Sequence, residues 1–151
     1  MTQAVRIECA VEEDLPAILG LYAQPEIDDG MELSLEKAKE IYSRIRSYPN
    51  YHIYVATLES RVVGTFALLI MDNLGHLGSP SGVVEDVAVD PAQQGRGVGK
   101  AMMEFAKRKC QEAGCYKLAL SSNVKRENAH AFYQSLGFER HGYSFVVDPS
   151  A

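Results

Sequence analysis

The stretch Val83-Val84-Glu85-Asp86-Val87-Ala88-Val89-Asp90-Pro91-Ala92-Gln93-Gln94-Gly95-Arg96-Gly97-Val98-Gly99-Lys100 decides the fold. It opens as a β-rich run that Asp90-Pro91 stops, because proline has no N–H to continue a ladder. It closes by entering a helix. Val98, Ala101, Met102, Phe105, Ala106 and Cys110 fall on one helical face, with Lys100, Glu104, Lys107, Arg108 and Gln111 on the other. Gly114 is a natural stop for that helix. The residues between strand and helix are rich in glycine. A strand that feeds a helix N-terminus through glycines presents unpaired backbone N–H groups and lets a ligand come close to them. The helix end also carries about half a positive charge. Such a turn binds pyrophosphate, and Arg96 and Lys100 add formal charge beside it.

Three phosphate-binding turns have to be told apart. A P-loop, GxxxxGK[ST], needs Gly at Gln94 and Ser or Thr at Ala101, and has neither. A dinucleotide fingerprint, GxGxxG, finds its third glycine one residue early, and the turn lies beyond the middle of the chain instead of in a first βα unit. The pattern Q-x-x-G-x-G is matched in full by Gln94-Gly95-Arg96-Gly97-Val98-Gly99.

Outward from this centre, residues 2–9 alternate weakly and predict a first strand. Glu12-Glu13-Asp14 opens a helix, where acid suits the macrodipole and Pro16 is tolerated. Residues 24–33, with Pro25 and Gly30, form a loop. Ser34 caps a second helix that carries Leu35, Ala38, Ile41, Tyr42 and Ile45 on one side, and Pro49 ends it. Residues 51–57 and 61–71 predict an antiparallel hairpin about Glu59-Ser60. A Gly/Ser/Pro loop leads to the strand at 83–89. After the long helix, a strand is expected at 116–120, a fourth helix at 127–136 stopped by Gly137, and a last strand within 138–147. The order β-α-α-β-β-β-α-β-α-β describes one α/β domain over 1–151 with a mixed sheet.

At this point the chain resembles the GNAT superfamily of N-acetyltransferases, whose acetyl-CoA pyrophosphate sits on a Q/R-x-x-G-x-G/A turn. Val84-Glu85-Asp86-Val87-Ala88-Val89-Asp90-Pro91 is similar to the family's fourth strand, and Ala129-His130-Ala131-Phe132-Tyr133-Gln134-Ser135-Leu136-Gly137-Phe138 to its second signature, A-x-x-F-Y-x-x-x-G-F. The resemblance implies a mixed, mostly antiparallel sheet of roughly six or seven strands flanked by four helices. It implies that strand four splays from strand five, so that the amide-bearing pantetheine arm fills the gap against Val87, Ala88 and Val89. The turn Gln94, Gly95, Arg96, Gly97, Val98, Gly99 and Lys100 would take the pyrophosphate. Asn123 would bond the arm, and Tyr133 would point at the thioester sulfur.

Proton balance then orders the roles. A lysine-like amine of pKa about 10.4 is neutral only about once in a thousand at pH 7, a penalty of roughly 4.6 kcal/mol, whereas an α-amino-type amine loses only about 1 kcal/mol. Glu85 is the candidate base, acting directly or through water, with Asp86 as second choice. Neighbouring strand residues face opposite ways, so at most one of the two is expected to point into the cleft. Tyr133 would protonate or hydrogen-bond the departing thiolate, and the amide of Ala88 would hold the oxyanion.

Plainer readings stand beside these. Tyr133 is also at core spacing on an amphipathic helix. Glu85 reads equally as a paired strand-face carboxylate. His52, His76, His130 and His141 lack ligand spacing, so no metal is expected. Cys110 and Cys115 read as small buried hydrophobes.

The acceptor is left open. Ser122-Asn123-Val124-Lys125-Arg126 before the second signature is similar to aminoalkylphosphonate N-acetyltransferases. Val84 to Val89, with Gly114-Cys115-Tyr116-Lys117, is similar to glucosamine-6-phosphate N-acetyltransferases. Both imply a small, phosphorus-bearing amine met by Arg44, Arg46, Arg61 or Arg126. The acidic loop Glu26, Asp28, Asp29 and Glu32 instead favours a polyamine or other cation. A protein or peptide acetylase and a non-catalytic acetyl-CoA-binding regulator are the rival functions.

Composition narrows the field. With 151 residues, 46% hydrophobic and 23% charged, the chain suits one globular domain and not disorder. A net charge of −5 argues against a nucleic-acid partner. The apolar run 66–71 is too short for a bilayer, and the N-terminus has no secretory pattern. Three cysteines without CxxC spacing fit a reducing cytoplasm. A homodimer paired through the β-rich residues 143–147 is expected.

Overall fold

The computed structural model describes residues 4–150. They divide into two compact units, one ending at Ala119 and one beginning at Leu120. In the first unit the elements run β1 (Arg6–Cys9), a 3-10 turn (Glu12–Asp14), α1 (Leu15–Tyr22), α2 (Leu35–Ser47), β2 (Tyr51–Leu58), β3 (Arg61–Met71), β4 (Ser81–Val89), α3 (Val98–Ala113) and β5 (Lys117–Ala119). The second unit holds α4 (Glu127–Ser135).

Among the described residues the sheet has five strands in the order β1-β2-β3-β4-β5. The first three pairings are antiparallel and β4–β5 is parallel. The expected class, order up to α4 and four helices are present. The expected count of six or seven strands is not. Residues 138–147 form no strand, because β-rich composition makes a strand only where a partner supplies the ladder. Glu12–Asp14 also winds as a 3-10 turn before the α-helix starts at Leu15. Residues 2 and 3 of the expected first strand lie outside the described residues.

Local chemistry sets the boundaries. Ser34 accepts a hydrogen bond from the Lys37 amide at 3.2 Å and so caps α2. Glu59 and Ser60 both sit at positive φ, 52° and 65°, the geometry of a two-residue hairpin turn between paired Leu58 and Arg61. Gly114 and Gly137 stop α3 and α4 in the left-handed region.

β3 is covered on both faces, which is why Val63 through Leu68 are all buried. One face packs Ala10, Leu15, Ile18, Leu19, Ala38, Tyr42 and Val55 beneath α1 and α2, and the Tyr42 hydroxyl donates to Ala10 O at 2.9 Å. The other meets α3, where Tyr54 and Phe66 stack at 5.3 Å and Phe105 sits edge-on to Tyr54 at 4.9 Å. α3 buries Val98, Met102, Met103, Ala106 and Cys110, at about 1.5–3 kcal/mol for each large side chain. It lies so near the sheet that a Cβ on Gly82 would collide with Cys110 Sγ.

Candidate active site

β4 is irregular where the site is expected. On β3, Phe66 alone separates Thr65 from Ala67; on β4, Asp86 and Val87 together separate their partners Ala88 and Glu85. This is a β-bulge. Asp86 takes φ +53°, an unusual value for a residue with a Cβ and one that costs on the order of 1–2 kcal/mol. The alternation that would expose only one of Glu85 and Asp86 breaks at this point, and both side chains are exposed. Glu85 lines a shallow cleft with Tyr51, Ala67, Leu69 and Val83, on the α1/α2 face of the sheet. Burial raises the Tyr51 phenol above its ordinary range, and the charges of Asp86 and Glu85 push the same way.

The β4–β5 ladder ends at Val83–Ala119. From Val84 to Val89 the sheet pairs β4 with β3 alone, so the opposite edge carries main-chain groups that no strand takes up. Asp90 N–H donates to Val63 O at 2.8 Å, so Asp90 faces β3 and Val89, its neighbour, faces the open edge. Two carbonyls of this segment are met by side chains: the Tyr22 hydroxyl donates to Asp86 O at 3.0 Å and Gln24 Nε2 to Val89 O at 3.1 Å.

The turn follows directly. Asp90 Oδ1 accepts from Ala92 N–H at 2.9 Å, Pro91 opens a 3-10 turn and Gln94 is extended. Gly95 and Gly97 adopt φ +82° and +80°, and nothing lies within 4 Å of where either Cβ would stand. Glycine is therefore demanded by the backbone, and the space above the turn is open. The first bond of α3 is Ala101 N–H to Gly97 O at 3.0 Å, which leaves the amides of Val98, Gly99 and Lys100 pointing out of the helix end. Gly97, as N-cap, brings no side chain to cover them. Arg96 is engaged elsewhere: it donates to Gln93 Oε1 at 2.7 Å and lies 3.7 Å from Glu59. Lys100 is exposed. An open strand edge ending in a helix N-terminus with bare amides fits a ligand that carries both amides and a pyrophosphate.

The second unit carries Asn123 and Tyr133. Asn123 Oδ1 accepts from Lys125 N–H at 2.9 Å, and its carbonyl accepts from Arg126 N–H at 3.0 Å, so Asn123 shapes the turn that starts α4. Tyr133 packs between Phe132 at 5.2 Å and Phe138 at 5.7 Å. Burial raises its phenol above the ordinary range, against an opposing pull from Arg126. It therefore keeps its proton throughout the neutral range. Beside Asn123, Ser122 Oγ is buried without a hydrogen-bond partner. Ser122, Tyr22 and Gln24 take no individual site role from the sequence, since a lone hydroxyl or amide leaves no spacing signal.

Among the described residues no group of three His, Cys, Asp or Glu side chains is arranged to hold a metal. Nor, among the described residues, is any helix long and apolar enough to cross a membrane. Cys110 is a buried thiol pushed up to about 12 by burial, with Cys115 adding to the shift.

An open strand edge leading to a bare-amide glycine turn is what the α/β fold brings together here. The chain belongs to the acetyltransferase (GNAT) family, whose model matches residues 10–138. It is 36% identical over 88 residues to a glucosamine 6-phosphate N-acetyltransferase of Trypanosoma brucei brucei, covering 58% of each chain. It is 30% identical over 98 residues to an aminoalkylphosphonate N-acetyltransferase of Salmonella typhimurium, covering 65% of this chain and 63% of that one. The matches thus span less than two thirds of the length of these two relatives. Among solved structures, an Agrobacterium tumefaciens protein superposes with a TM-score of 0.88 at 31% identity, covering 95% of this chain and 99% of the other.

Proposed function

We propose that the chain, acting as one functional domain, transfers an acetyl group from acetyl-CoA to the primary amine of a small molecule by direct attack. The observation that carries this is the β4 edge from Val84 to Val89, left unpaired by any strand, which leads through the Pro91–Gln93 turn to the bare amides at the start of α3. Family membership and the activities named for the relatives support the same reading.

In this reading Val87 and Val89 hold the pantetheine arm on the open edge, whereas Ala88, expected to join them, turns its main-chain groups to Thr65 of β3. Gln94, Gly95, Gly97, Val98, Gly99 and Lys100 take the pyrophosphate, with the Arg96 amide contributing while its guanidinium stays with Gln93 and Glu59. Asn123, whose Oδ1 is already used, offers its remaining amide donor. Acetyl-CoA supplies the activated carbonyl. Glu85 removes the amine proton, directly or through water. The Ala88 amide, first expected at the oxyanion, faces Thr65 of β3, so the Val87 amide on the open edge donates to the carbonyl oxygen as it gains charge. Tyr133 donates to the departing thiolate. A phenol of pKa 10 or more is a weaker acid than a thiol of about 8.5, so full transfer is uphill by roughly 2 kcal/mol. A strong hydrogen bond, followed by reprotonation from water, is the cheaper course.

The relatives' substrates support a phosphorus-bearing acceptor. A cationic acceptor such as a polyamine is the second reading, favoured by the exposed carboxylates Glu85 and Asp86 beside Tyr51. The cysteine pattern supports a reducing compartment such as the cytoplasm. The exposed side chains Tyr143, Phe145, Val146 and Val147 support pairing with a second copy as a homodimer.

Calorimetry with acetyl-CoA, followed by steady-state acetylation of aminophosphonates, amino-sugar phosphates and polyamines, tests this. Heat on binding and turnover of one panel member are expected. No heat with acetyl-CoA would remove the proposal.

A further inference from the structure

Tyr22 and Gln24 stand at the end of α1 and just beyond it, sixty-odd residues from β4 in sequence, yet both reach its backbone. They bracket the bulge. Tyr22 holds the carbonyl of Asp86, the residue at positive φ, and Gln24 holds that of Val89. Between the two anchors lie Val87 and Ala88.

A bulge turns two successive residues away from the neighbouring strand and leaves their carbonyls without ladder partners. Here Asp86 and Val87 together oppose Phe66, so the Asp86 carbonyl needs a donor from elsewhere. The Tyr22 phenol is well suited. Its ring packs against the cluster under α1 and α2, so the hydroxyl has little freedom. It stays protonated, because burial raises it well above the ordinary phenol range. The same residue also anchors the loop that follows: its carbonyl accepts from Asp28 N–H at 3.1 Å, and Ala23 O accepts from Gly30 N–H at 2.8 Å.

With the Asp86 and Val89 carbonyls occupied, the edge is no longer an even row of donors and acceptors. The amides stay available while only the Val87 carbonyl between the anchors is left to accept. Such an edge favours a ligand that presents carbonyl oxygens there and fixes the register of an arm with alternating amides.

We infer that Tyr22 is a positioning residue for acetyl transfer: with Gln24 it clamps the bulged edge of β4, so that the Val87–Ala88 segment meets the reacting carbonyl in one geometry. The inference rests on the acetyl-CoA reading above.

The test uses the full chain with Tyr22→Phe, which keeps the ring and removes the hydroxyl donor, and Gln24→Leu, which removes the amide donor. Amide hydrogen exchange without ligand reads the clamp itself. The Ala88 amide, which faces Thr65 across the β3 ladder beside the bulge, should exchange roughly tenfold faster in Tyr22→Phe, while the α3 amides keep their rates. Steady-state kinetics on the best amine reads the positioning. Tyr22→Phe should lower kcat roughly tenfold with the acetyl-CoA KM within about twofold, and Gln24→Leu should give a smaller fall of the same kind. Unchanged exchange and kcat in both variants would overturn the clamp. Parallel losses of kcat, acetyl-CoA affinity and Tm would make Tyr22 a packing residue and overturn the positioning role. An inactive wild type that still shows the exchange difference would sink the acetyl-transfer reading and the positioning role with it, while the clamp would stand.

Discussion

The two units differ in how their residues are held. Every buried residue among those described lies at or before Cys110, and none lies from Leu120 onward. The first unit has a sheet covered on both faces. The second has one nine-residue helix, a turn organised by Asn123 and a run of exposed apolar side chains. The residues expected to bind the cofactor fall on both. The turn and the β4 edge sit on a rigid scaffold, whereas Tyr133 is supported by a short helix and two aromatic neighbours. Mutations should therefore separate by place: those in the glycine turn act on affinity, those in the first unit's core on stability, and Tyr133 on turnover, to which Glu85 and Tyr22 contribute from the first unit.

The sharpest contrast is in stability. Phe66 and Met102 are wholly buried on opposite sides of the sheet–helix contact. Phe66→Ala should cost about 3–5 kcal/mol and Met102→Ala about 2–5 kcal/mol. Leu136→Ala in the second unit, at a half-buried position, should cost less than about 1 kcal/mol. Urea unfolding would measure all three. Equal costs in the two units would erase the distinction.

Next comes affinity. Gly97→Val puts a branched side chain at φ +80°, a strain of on the order of 1–2 kcal/mol, and fills the open space above the turn. Acetyl-CoA should bind roughly thirtyfold or more weakly, by calorimetry. Gly75→Ala, also a loop glycine with open surroundings but without positive φ, should bind as wild type. If both behave alike, the glycine turn does not hold the ligand.

Tyr133→Phe then probes the other side. It should lower kcat about tenfold or more while leaving the acetyl-CoA dissociation constant within about twofold. Glu85→Gln should lower kcat most at low pH, where the acceptor amine is most protonated, and matter less as pH rises towards the amine pKa. A flat ratio of wild-type to variant rates across pH 6–9, roughly the span around those pKa values, would take the base role from Glu85.

What sequence could and could not supply follows the same division. Elements whose cause is local were legible: the Ser34 cap, the Glu59-Ser60 turn, and the Gly97 and Gly114 ends of α3. So was the apolar face of α3, because its period is a property of one segment. The glycine turn was legible for that reason as well. The bulge at Asp86 was not, since it depends on register against β3, and Val-Glu-Asp-Val reads as a plain strand. Tyr22 and Gln24 were hidden because their partners are distant carbonyls. Arg96 read as a phosphate ligand from its position, and only the fold brings Glu59 beside it.

The smallest effect is expected at residues 138–147, where a strand was read and none formed. Tyr143, Phe145, Val146 and Val147 are each at least four-fifths exposed, so removing one leaves no cavity. Phe145→Ser should change the unfolding free energy of the monomer by no more than about 0.5 kcal/mol. A strand needs a partner, and β5 leaves one edge of the five-stranded sheet unpaired by any strand. If a second copy supplies that pairing, the same substitution should shift the monomer–dimer equilibrium towards monomer, because an exposed apolar strand gains most of its free energy on association. Sedimentation at several concentrations separates the two quantities. A variant that dimerises as wild type, or a wild type that stays monomeric throughout, would leave the apolar run without a role in assembly.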